Sequence, residues 1–152
     1  MFLRASIDSH MLAVLLLAGP GLSAPVYGRA ALADIKQYGV AVRVACTGEL
    51  EQHQEAFENH IRRRLEGRGI QVQAEGSVVL RLLVTCIRSN DGYFVAHLRM
   101  DLAQAAHLAS NNQLVDAPTW DAWKMGEYRE EDLLAEVDDL TRQFLNDYVA
   151  EN

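Results

Sequence analysis

GVAVRVAC, residues 39–46, and VVLRLLVTC, residues 78–86, decide the fold of this chain. In the first, Val40, Val42, Val44 and Cys46 fall on one side and Ala41, Arg43 and Ala45 on the other. Strict alternation with β-branched residues is the pattern of a half-buried strand, here running from Gly39 to Thr47. In the second, within a strand from Ser77 to Arg88, Leu80, Leu82, Val84 and Cys86 share a side. Val79, Arg81, Leu83, Thr85 and Ile87 share the other, so this strand is apolar on both sides and belongs in the middle of a sheet. A single offset of forty residues pairs Val40 with Leu80, Val42 with Leu82, Val44 with Val84 and Cys46 with Cys86. Neighbouring strands lie about 4.8 Å apart, inside the roughly 4.4–6.8 Å Cα window for a disulfide. The register therefore predicts a Cys46–Cys86 bridge in any oxidising compartment.

Between these strands, Leu50, Phe57, Ile61 and Leu65 form the apolar stripe of a helix opening at Thr47-Gly48. Glutamates crowd its start, Arg62, Arg63, Arg64 and Arg68 its end, and Gly67 and Gly69 close it. After the second strand, Asn90-Asp91-Gly92 signals a hairpin. A third strand follows from Tyr93, with Phe94, Ala96, Leu98, Met100 and Leu102 facing the core. Its alternation fades through the alanine-rich residues 103–109. Asn111-Asn112 reads as a second hairpin turn, and Leu114 to about Met125 as a fourth, irregular strand. Pro118 cannot donate to a ladder, so that strand is expected at an edge or interrupted there. Trp120 and Trp123 are expected to close the end of the core, with extension of the outer sheet face as the alternative. A last helix, about Glu130 to Ala150, buries Leu133, Val137, Leu140, Phe144 and Tyr148. The expected order is β-α-β-β-β-α, with strands one and two parallel through a right-handed crossover and the rest antiparallel. This is an α/β (α+β) two-layer sandwich with a mixed four-stranded sheet and both helices on one face.

The N-terminus bounds the compartment. Arg4, the apolar run Met11–Ala18, the break Gly19-Pro20-Gly21 and Ala31-Leu32-Ala33 are the parts of an export signal, predicted to span residues 1–33. Ala24-Pro25 is the poorer cleavage site, because proline after the scissile bond resists cutting. The apolar run is too short for a membrane span, and no cysteine lies near the cleavage region to carry a lipid. Residues 34–152 are one domain's worth of chain. They hold 12 lysines and arginines against 20 acids, and residues 116–152 alone hold eleven acidic and three basic groups. An acidic exported domain is a poor partner for nucleic acid. The chain is thus expected in the periplasm or secreted, without a stable membrane span.

No motif announces catalysis: there is no Gly-rich phosphate loop, no Gly-x-Ser-x-Gly elbow and no His-Glu-x-x-His. His53 and His60 are seven apart, outside the spacing that brackets a metal. The expectation is a non-enzymatic protein with no catalytic residues, metal or cofactor. The lead for function is the outer sheet face. Arg43, Arg81, Arg99 and His97 fall there, interleaved with Tyr93, Val79, Leu83, Ile87 and Val95. A two-layer fold leaves this face uncovered, and the mixture of arginine, aliphatic and aromatic residues suits an interface. The predicted partner is another envelope protein or a second copy of the chain. A small anionic ligand or glycan on the same face is the alternative.

The ending Thr119-Trp120, then Phe144-Leu145-Asn146-Asp147-Tyr148 and Asn152, resembles that of small uncharacterised exported bacterial proteins, over the last third of the chain. The element order is similar to that of accessory proteins in the Gram-negative envelope, including the lipopolysaccharide-assembly lipoprotein. Those carry a lipid-anchored cysteine that this chain lacks, so the resemblance implies a fold and transfers no functional residue.

Overall fold

The structure, a computed structural model, describes residues 32–46, 49–74 and 76–152. Along the chain run β1 (Gln37–Cys46), a 3-10 turn (Glu49–His53), α1 (Gln54–Glu66), β2 (Gln71–Gln73), β3 (Val78–Arg88), β4 (Phe94–His107), β5 (Leu114–Tyr128) and α2 (Glu130–Glu151). The class is the expected mixed α/β. The strand count is not: five strands stand in the order β2-β1-β3-β4-β5, and the chain order is β-α-β-β-β-β-α. The added β2 pairs parallel with Gln37–Gly39 at the far edge. Three residues, two of them glutamine, are too few to show a period. Gly69, at φ 76°, makes the left-handed turn that carries the chain from α1 into this strand.

β1 and β3 pair in parallel in the register that the forty-residue offset predicts, from Val40 opposite Leu80 to Cys46 opposite Cys86. The two cysteines form a disulfide with their Cα atoms 4.5 Å apart. β3, β4 and β5 are joined antiparallel. Gly92, at φ 83°, and Asn112, at φ 56°, provide the left-handed residues of the two hairpin turns. β4 continues straight through the alanine-rich stretch to His107. β5 follows it for fifteen residues, with a bulge beside Leu102 and Ala103. Pro118 lies opposite Ala103 at that break, on an edge strand, where its missing N–H is tolerated. Thr119 fills the break: its hydroxyl donates to the Leu102 carbonyl and accepts from the Gln104 amide.

Both helices lie on one face. Phe57, Ile61 and Leu65 of α1, and Leu133, Val137, Leu140, Phe144 and Leu145 of α2, are buried against Val40, Leu80, Leu82, Val84, Leu98, Met100 and Leu102. The 3-10 turn precedes α1, so its α-helical part starts later than the stripe alone suggests. Polar side-chain contacts bind the two helical segments to each other. His53 meets Glu130 at 2.6 Å, and Asp138 takes both His60 at 2.7 Å and Arg64 at 3.0 Å. Lys124 ties the edge strand to α2 by donating to Glu136 and to Asp139, the latter at 2.7 Å. Burial alone would lower the Lys124 pKa, but the hydrogen bonds and charges of Asp139 and Glu136 outweigh it and raise it. Reciprocally, the Lys124 hydrogen bond holds the Asp139 carboxyl below its ordinary range, against the opposing effect of burial.

The N-terminal approach to β1 is part of the core. Leu32 is fully buried, and its carbonyl accepts from the Asn152 side chain at 2.9 Å. The Asn152 side-chain oxygen in turn accepts from the Asp34 N–H at 2.8 Å. The two ends of the domain are thereby clasped together. The remainder of the expected export signal, residues 1–31, lies outside the described residues. Among the described residues no helix is long and apolar enough to cross a membrane.

Candidate functional site

The face opposite the helices is built by the odd-numbered residues of β1, β3 and β4 and by β5 beyond its bulge. The ladder arranges them in rows across four strands. Ala41, Arg81, Asp101 and Asp121 form one row; Arg43, Leu83, Arg99 and Trp123 the next; Ala45, Thr85, His97 and Met125 the third. Ile87, Val95 and Glu127 form a fourth. Four of the five expected interaction residues, Arg43, Arg81, Arg99 and His97, are thus brought onto one continuous surface.

Their electrostatics differ from a bare arginine patch. Asp101 stands directly opposite Arg81 and accepts from its Nε at 2.6 Å. Arg99 reaches the other Asp101 oxygen at 3.8 Å and Asp121 at 3.9 Å. Asp101 and Asp121 stand opposite each other in one row and are answered by Arg81 and by Arg99 of the next row, and only Arg43 stands without an acid beside it among the described ion pairs. Counted over the whole face, Arg43, Arg81 and Arg99 are balanced by Asp101, Asp121 and Glu127. Tyr93 stands apart at the end of the ladder, where its hydroxyl accepts from the Arg129 guanidinium at 3.2 and 3.3 Å. That guanidinium carbon also lies 5.5 Å from the Tyr93 ring centre.

The strongest features of the face centre on β5, where the sequence left the side of Trp123 open and did not single out Met125. Trp123 is 63% exposed and Met125 68%, beside Ile87 at 68% and Val95 at 47%. The two tryptophans divide. Trp120 is buried edge-on against Phe144, with ring centres 5.1 Å apart, and donates its indole N–H to Asp147 at 3.0 Å. Trp123, three residues on in a strand, must point the other way. Core packing thus holds for Trp120, while Trp123 follows the alternative and extends the outer face. The usable signal was parity: residues 121, 123, 125 and 127 share a side. The bulge beside Thr119 shifts the phase of β5, so counting from Leu114 misassigns that side.

His97, Arg99, Asp121, Trp123 and Met125 line a shallow depression of about 340 Å³ that is open to solvent. It is a dimple in a flat face rather than an enclosing pocket. A hollow of about the same size between the helix N-termini is lined by His53, Phe57, Glu130 and Leu134, where the His53–Glu130 bond already spans it. Among the described residues no three His, Cys, Asp or Glu side chains gather as a metal ion would require.

No family model matches this chain, and no curated protein matches it either. Solved structures similar to this chain include three of low identity. A PelC dodecamer from Paraburkholderia phytofirmans is 19% identical, with a TM-score of 0.44, covering 74% of this chain and 87% of that one. A minor lipoprotein from Acinetobacter baumannii is 15% identical, with a TM-score of 0.44, over 78% and 93%. A further structure described as an uncharacterized protein is 15% identical, with a TM-score of 0.32, over 76% and 90%. Likenesses this distant assign the chain neither a family nor an activity.

Proposed function

We propose that this chain is an exported, non-enzymatic accessory domain of the cell envelope that works by binding, and that the outer sheet face is the surface it binds with. One observation carries the reading. Trp123, Met125, Ile87 and Val95 hold their side chains largely exposed on one continuous face. Together they present on the order of 400 Å² of apolar surface, the size at which patches on soluble proteins are commonly functional. Tryptophan and arginine side by side are also the residue types that dominate binding hot spots. The partner is a protein, either another envelope component or a second copy.

A small anion or glycan fits less well. Asp101 already answers two of the three arginines, and the depressions on this face are too open to enclose a ligand. The export signal and the disulfide support the compartment: a bridge between neighbouring strands persists where thiols are oxidised.

The test is capture from the native envelope. Exported, tagged protein is compared with Trp123→Glu and Met125→Glu variants after chemical crosslinking. Loss of crosslinked species from both variants, with thermal stability unchanged, is expected. Capture that survives both substitutions contradicts the reading.

A further inference from the structure

We infer that the partner on this face is a second copy of the chain, related by a two-fold axis that runs parallel to the strands between β3 and β4. The inference rests on the proposed binding role of the face and names its occupant. Such an axis lays β1 of one copy over β5 of the other and β3 over β4, row upon row, as in aligned sheet packing. The rows of the ladder then dictate the contacts. Arg43 falls over the partner's Trp123, a guanidinium on an indole. Arg81 falls over the partner's Asp101, and Ile87 over the partner's Val95. Ala45 falls over the partner's Met125, a small residue against a long one. Each contact is made twice, as an isologous interface requires.

Charge argues for the same occupant. The last third of the chain carries eleven acidic and three basic groups, so two copies repel across most approaches. The sheet face is balanced in charge, and the two-fold sets Arg81 over the partner's Asp101 and Asp121 over the partner's Ala41, so two copies meet there without placing like charges directly opposite. Its four rows and four strands span roughly 27 by 19 Å, about 500 Å² per copy, which places a face-to-face pair at the lower bound of specific interfaces.

The experiment combines sedimentation of the purified full, oxidised protein with crosslinking by a bismaleimide about one sheet spacing long. The wild type is expected to be a dimer with a concentration-dependent melting temperature, and Trp123→Glu a folded monomer with an unchanged circular dichroism spectrum. A mixture of Ala45→Cys and Met125→Cys chains is expected to crosslink between copies at least tenfold more than either chain alone. A wild type that stays monomeric, while Trp123→Glu still abolishes capture of an envelope protein, overturns the dimer and leaves the binding face standing. A dimer indifferent to Trp123→Glu overturns both.

A separate observation, the clasp at the chain ends, bears on export processing. Resting on the export reading, we infer that the signal is cut upstream of Leu32 rather than after Ala33. Leu32 is fully buried in the core, and its carbonyl and the Asp34 N–H hold the two ends of the Asn152 amide. A cut after Ala33 would remove that core residue and turn the Asp34 amide into a charged amine. Gly28-Arg29-Ala30 offers small residues at the two positions that a signal peptidase reads, and a cut there keeps Leu32. Intact mass and N-terminal sequencing of the exported protein test this. A first residue between Ala24 and Leu32, with a melting temperature lowered by Leu32→Asp, supports it. A start at Asp34 overturns it and keeps export, and an uncut chain overturns both.

Discussion

The hydroxyl of Tyr38 is buried among the rings of Phe144 and Tyr148, whose centres lie 5.6 and 6.1 Å from its own. It finds no hydrogen-bond partner among the described residues. Burial, with Tyr148 adding to it, raises its pKa well above the ordinary 10.0. The unfolded chain therefore ionises this phenol before the folded one does, and stability falls as pH rises above about 10. Tyr38→Phe should leave neutral-pH stability unchanged or raise it by up to ~1 kcal/mol. It should also flatten the loss measured by denaturant melts between pH 9 and 11. Destabilisation of several kcal/mol at pH 7 would mean that the hydroxyl is bonded. Neither Tyr38 nor Leu32 was legible in the sequence. Gly39 reads as a strand start and hides the fact that Tyr38 continues the even-numbered core face. Leu32 sits inside what reads as a cleavage motif.

At the scale of elements, the β1–β3 register was fully legible, because two long alternating runs and a cysteine pair agree on one offset. The disulfide they imply closes a forty-residue separation, which in the chain-entropy model stabilises by up to ~4 kcal/mol. Replacing Cys46 and Cys86 by serine should lower the denaturant midpoint by a corresponding amount. A change under ~1 kcal/mol would contradict a structural role for the bridge. β2 was illegible for want of length, and the end of β4 because alanine marks neither face. Lys124 makes a second prediction. The depressed Asp139 pKa contributes stability that is present above the ordinary carboxylate range and lost as pH falls through the folded value. Lys124→Met should cost about 1 kcal/mol at pH 7 and lose less stability than the wild type between pH 6 and 3. Parallel acid limbs in the two proteins would rule out the β5–α2 tie as the cause.

The whole molecule divides its chemistry by face. The helices cover one side of the sheet and concentrate the acidic charge. The other side is charge-balanced, with its largest apolar groups exposed. The arginines of this site were legible as the odd-numbered partners of buried strand residues. Its apolar part on β5 was legible only in part, Trp123 as an alternative to core packing and Met125 not at all, because the bulge at Thr119 shifts the phase of β5 where no periodicity announces it. The distinction governs how the face is tested. Reversing charge at Arg81 and Arg99, the change that the sequence suggests, would leave Asp101, only 14% exposed, among acids and cost stability together with binding. Substitutions at the exposed Trp123 and Met125 avoid this. The most direct measurement places a photo-crosslinking residue at position 123 of the exported protein in cells, with position 149 on the far side of α2 as control. A covalent adduct with a second copy or with an envelope protein from position 123, and none from position 149, is predicted. No adduct from position 123, or equal adducts from both positions, would contradict a binding role for the sheet face.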